Sequence, residues 1–60
     1  MPDAELSSLS STLDDLRKRI TARAEGSQAS GDEETAIDLY EIERSLNTAM
    51  RRLSKLLDRV

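Results

Sequence analysis

The first strongly apolar residues from the N-terminus are Leu6, Leu9, Leu13, Leu16 and Ile20, spaced 3, 4, 3 and 4. That spacing is the a/d register of a helical seam, because every third or fourth residue returns to the same side of a helix. Arg23 takes the next position in the register, and the stripe fades there. A second run, Leu39, Ile42, Leu46, Ala49, Leu53, Leu56 and Val60, repeats at 3, 4, 3, 4, 3 and 4 without a break. Between the runs lies a small, polar stretch from Glu25 to Asp32 that holds both glycines of the chain, Gly26 and Gly31. The pattern predicts a single all-α domain over residues 1–60, with a helix over about 4–25, a loop over about 26–31 and a second helix over about 32–59.

Local signals agree with these elements. Asp3 stands where an N-cap carboxylate can accept from the unpaired N–H groups of a first helical turn. Gly26 suits the C′ position after helix 1, since glycine takes positive φ without a Cβ penalty. Two caps compete for the start of helix 2: Ser30 with Glu33 as a capping box, and Asp32 with Thr35. At 1.5 Å per residue the helices would be about 33 and 40 Å long, well enough matched to lie side by side.

Charge decides the direction. Helix 1 carries Asp3, Glu5, Asp14 and Asp15 before Arg17, Lys18, Arg19 and Arg23, and helix 2 likewise runs from acidic to basic. Each gradient suits its own macrodipole. Laid antiparallel, the acidic end of one helix meets the basic end of the other, whereas a parallel pair would set like against like. Surface pairs contribute about 0 to 1 kcal/mol each, so the gradient selects orientation more than it stabilises. The expected fold is an antiparallel, coiled-coil-like hairpin whose core is Leu6, Leu9, Leu13, Leu16 and Ile20 against Leu39, Ile42, Leu46, Ala49, Leu53 and Leu56.

Helix 2 is greasier than one partner helix requires. Ala36, Met50 and Leu57 flank its seam, and Ile37 and Tyr40 lie further round. Ile37 and Tyr40 could equally hold the loop, with Ala29 beneath the ring. Met50 and Leu57, one heptad apart, are too far apart for the loop to cover both. These five residues are the expected oligomer or partner contacts, and the economical partner is a second copy, giving a homodimeric four-helix bundle.

Composition points the same way. Sixty residues bury only about 60% of their unfolded surface, so a lone core is marginal without disulfides, a metal or association. The chain has no Cys and no His, which removes disulfides, thiolate or imidazole zinc sites and nucleophile–histidine pairs, and leaves association. The net charge of -3 argues against a general binder of nucleic acid or anionic membranes. No apolar run approaches the roughly 20 residues that span a bilayer, and no secretory pattern opens the chain, so a soluble cytoplasmic protein is expected.

Little chemistry offers itself. Glu34, Asp38 and Glu41 share a face at i, i+4 and i+7, but an acidic first half of a helix is what the macrodipole favours, and this face could pair with Arg17, Arg19 or Arg23. No metal, cofactor or catalytic residue is expected, and the chain reads as a non-enzyme. The expected function is a protein–protein interaction module, a homo-oligomeric hairpin serving as adaptor or assembly factor. The alternative is a small nucleic-acid-binding regulator, a four-helix-bundle binder of RNA or DNA. It would use two basic groups, Arg17, Lys18, Arg19 and Arg23 near the loop, and Arg51, Arg52, Lys55 and Arg59 near the C-terminus.

Overall fold

The computed structural model describes residues 3–59 as two helices, α1 (Ala4–Ala29) and α2 (Glu33–Arg59), packed along their length as a hairpin. Val60, the last residue of the second apolar run, lies outside the described residues. Asp3 caps α1: its backbone is extended and its carboxylate accepts the Leu6 N–H at 3.1 Å.

Helix α1 runs four residues past its expected end. Gly26 is helical, and its carbonyl accepts the Ser30 N–H at 3.0 Å; the glycine in the left-handed region is Gly31, at φ +88. The turn is a Schellman motif. The Gly31 N–H donates to the Gln28 carbonyl at 3.1 Å and the Asp32 N–H to the Ser27 carbonyl at 2.8 Å, so the last carbonyls of α1 are satisfied by the turn itself. Asp32 then caps α2, its side chain accepting the Thr35 N–H at 3.2 Å and its carbonyl the Ala36 N–H at 3.1 Å. Of the two competing caps, the Asp32 one forms. The Ser30 hydroxyl instead donates back to the Ser27 carbonyl at 3.0 Å. One residue thus closes α1 and opens α2, which makes the loop shorter than the glycine spacing suggested.

Packing is tightest near the turn, where Ala24 is fully buried and Ala36 is 4% exposed, the only buried apolar residues among those described. Their small side chains let the helices approach closely beside the turn. Small seam residues give no hydrophobic signal, which is why the pattern of leucines fades at Arg23 while the packing continues.

The contact face is rotated from the expected one. On α1 the covered positions form the row Leu6, Ser10, Leu13, Arg17, Ile20, Ala24 and Ser27, with Asp14 and Thr21 beside it, and on α2 the row Ala36, Leu39, Glu43, Leu46, Met50, Leu53 and Leu57, with Tyr40 and Leu56 beside it. Both sets keep heptad spacing and share every second residue with the apolar runs. The other half of the expected core has moved out: Leu9 is 48% exposed, Leu16 39% and Ile42 46%, and Ala49 is exposed as well. Leu56 stays half-buried.

The result is one helix thick. The Cα trace measures 48 × 15 × 10 Å, and its radius of gyration of 14.0 Å exceeds the roughly 10 Å of a compact 60-residue domain. No large side chain is fully buried among the described residues.

Candidate interaction surface

The two long sides of the hairpin differ. On one side, α1 contributes Asp14, Thr21 and Gln28, each a heptad apart, and α2 contributes Tyr40 and Glu43. The Thr21 hydroxyl has two acceptors in reach, the Arg17 carbonyl at 3.0 Å within its own helix and the Glu43 carboxylate across the seam. The Tyr40 hydroxyl donates to Gln28 Oε1 at 3.2 Å. These two cross-links set the antiparallel register. Asp14 accepts from Arg17 at 3.0 Å and pairs with Lys18 at 3.2 Å, and the Arg17 guanidinium, then the Lys18 ammonium, hold its carboxyl below the usual carboxylate range. Asn47 and Ser54 continue the polar row of Tyr40 at heptad spacing.

On the opposite side the surface is apolar. Leu9 and Leu13 of α1 and Ala49, Leu53 and Leu56 of α2 line a solvent-open groove of 420 Å³, with Arg52 at its rim. Leu16 lies one heptad from Leu9, and Ile42 one heptad from Ala49, so the same stripe continues toward the turn until Arg23 ends it on α1. Leu9, Leu16, Ile42 and Ala49, expected in the hairpin core, therefore belong to an open face shared by both helices, while Leu6, Leu13, Ile20, Leu39, Leu46 and Leu53 stay half-buried on the contact face.

The expected partner contacts are placed the other way about. Ala36 is buried against α1, Met50 and Leu57 lie half-covered on the contact face, and Tyr40 is tied to Gln28. Only Ile37, at 62% exposure, stays open, beside a small depression it shares with Gln28, Glu33, Ala36 and Tyr40. The physical reason is the rotation of the seam: positions read as flank from the apolar repeat are the ones that touch the neighbouring helix.

The charged groups also sort differently from the expectation. Every ion pair among the described residues is within one helix: Asp14 with Arg17 and Lys18, and Glu41 with Arg44 at 3.6 Å. The acidic face of α2 does not reach Arg17, Arg19 or Arg23. Glu34, Asp38 and Glu41 fall on the heptad positions opposite the contact face, so they point away from α1. Of the two basic groups, the one near the loop is partly neutralised, since Asp14 engages Arg17 and Lys18, while Arg23 shares a depression with Asp32. The C-terminal group is different. Arg51, Arg52, Lys55 and Arg59 fan with Thr48 around an open depression of 580 Å³ and make no ion pair among the described residues.

Searches against protein-family models, curated proteins and solved structures find no match to this chain. No helix among the described residues is long and apolar enough to cross a membrane.

Proposed function

We propose that this chain is a non-enzymatic protein–protein interaction module that works as a homodimer, two hairpins closing face to face into a four-helix bundle that serves as an adaptor or assembly factor. The observation that carries the reading is the half-covered heptad stripe. In a two-stranded coiled coil, the a/d residues aim at the single partner and are the best buried. In a four-helix bundle they aim at the bundle axis, and the flanking positions meet the adjacent helix. Leu6, Leu13, Ile20, Leu39, Leu46 and Leu53 are half-buried, Leu9, Leu16, Ile42 and Ala49 are open, and Met50 and Leu57 meet the adjacent helix. This distribution supports the second geometry over the first.

Surface area supports the same reading. A compact monomer of 6.7 kDa exposes about 3,900 Å². The hairpin exposes 4659 Å². The excess, roughly 750 Å², is close to the ~800 Å² that each partner of a standard interface buries. A domain also needs two packed layers around one core, and this hairpin supplies one. The non-enzymatic part rests on the residues available: no His, no Cys, and depressions that are open and shallow rather than a water-excluding cleft with converging polar groups.

Paired substitutions on the two long sides test this reading by light scattering with circular dichroism. Leu9→Glu with Ile42→Glu places carboxylates in the proposed interface, twice over by symmetry, and is expected to abolish the dimer mass, with or without loss of helix. Asn47→Glu with Ser54→Glu, on the polar side, is expected to leave mass and helicity unchanged. For a monomer, the first pair would change surface positions only and cost within about 0.5 kcal/mol each. Wild-type mass and stability in the Leu9→Glu, Ile42→Glu variant would refute the reading.

A further inference from the structure

The C-terminal half of α2 carries a feature that dimerisation does not use. Arg51, Arg52, Lys55 and Arg59 occupy little more than two helical turns, about 12 Å of axis, around one exposed depression of α2, with Arg52 also at the rim of the apolar groove. Asp58 is the one acid among residues 48–59, which leaves this segment at +3 inside a chain of net -3. The nearest carboxylate of the acidic half, Glu43, is eight residues from Arg51, about 12 Å along the helix and more than one Debye length at physiological salt, and it is engaged by the Thr21 hydroxyl of α1. The acidic start of α1, Asp3 and Glu5, lies at the same end of the hairpin but makes no ion pair with these cations among the described residues. The helix C-terminus adds about half a negative unit, confined to the last turn, against four cations.

We propose that this face binds the phosphodiester backbone of double-stranded nucleic acid without reading its sequence. Three of the four cations are arginines, whose planar fork matches phosphate oxygens in a bidentate manner, and the Thr48 hydroxyl adds a neutral donor at the edge. None of the four is occupied by a carboxylate among the described residues, in contrast to Arg17, Lys18 and Arg44. The face has no aromatic side chain: the sole aromatic, Tyr40, sits near the turn and is bonded to Gln28. Unpaired bases would find nothing to stack on, so the outward phosphates of a duplex fit and a single strand does not. Membrane lipid is disfavoured on the same ground, because this face offers no apolar anchor.

The test is a fluorescence-anisotropy titration of the full chain against a labelled DNA duplex of about 20 base pairs, between about 50 and 200 mM salt. Four phosphate contacts predict that log K falls with log salt at a slope of about -3.6 or steeper, a loss of roughly 100-fold over that range, equal for unrelated sequences. Arg51→Gln with Lys55→Gln should reduce the slope by about 2 while keeping helicity and mass, and Lys18→Gln with Arg19→Gln should change it little. No binding at the lowest salt, or the wild-type slope in the Arg51→Gln, Lys55→Gln variant, would overturn the proposal. Tighter binding of single strands would overturn the duplex assignment, and displacement by polyglutamate as readily as by unlabelled duplex would assign the face to acidic protein instead. Because these variants keep the apolar side intact, the outcome is independent of whether the hairpin dimerises.

Discussion

The two glycines show how one residue type takes opposite roles according to backbone angle. Gly31 sits at φ +88, where an L side chain is strained, and it completes the Schellman turn. Gly26 lies in the last turns of α1 with nothing within 4 Å of the place a Cβ would occupy. Alanine at 26 should therefore stabilise the fold by about 0.5–1 kcal/mol, through higher helix propensity and a less flexible unfolded chain. Alanine at 31 should destabilise it by about 1 kcal/mol or more. Urea unfolding followed at 222 nm measures both. Equal effects of the two substitutions would contradict the placement of the turn. In the sequence the two positions look alike, and Gly26 is the more obvious helix end because it follows the fading stripe; what separates them is that α1 continues through Gly26 to Ala29, past the buried Ala24 that no leucine pattern marks, and turns at Gly31.

At the scale of the element, helix existence, antiparallel pairing and the start of α1 are legible from heptad spacing, the short glycine-containing loop and Asp3, while the charge gradient makes no ion pair between the helices among the described residues. The angular aim of each helix is not. A 3–4 repeat places leucines within a stripe but does not say whether the neighbouring helix sits at its centre or its edge. Here it sits at the edge, so Ser10, Arg17, Glu43 and Met50 are partly covered while Leu9, Leu16, Ile42 and Ala49 are exposed. The polar seam residues can occupy such places because each has an outlet: Arg17 reaches Asp14, and Glu43 accepts the Thr21 hydroxyl. A direct consequence concerns Met50. A carboxylate there would be pressed against α1 rather than left at an outer surface, so Met50→Glu should cost about 2 kcal/mol or more in urea unfolding. A loss below about 0.5 kcal/mol would place Met50 on the outside and restore the unrotated seam.

For the whole molecule the same rotation carries the functional argument. A hairpin whose heptad leucines met each other squarely would be a finished two-stranded coil with polar sides. This one keeps a polar side, held by Thr21, Glu43, Gln28 and Tyr40, and an apolar side that runs from Leu9 and Leu56 to Ile42. In the proposed dimer, closing two apolar sides would supply the missing layer and convert half-buried leucines into a core. It also leaves the outer face of α2, acidic toward the turn and basic toward the C-terminus, exposed on both copies as the surface an adaptor would present. Folding and dimerisation are then linked, so the melting temperature should rise with protein concentration.

The most direct measurement is the mass of the unmodified chain by sedimentation equilibrium, read together with its helicity at the same concentration. The account predicts a helical species of twice 6.7 kDa that loses helix as it dissociates on dilution. A fully helical species of 6.7 kDa, stable across the concentration range, would contradict it.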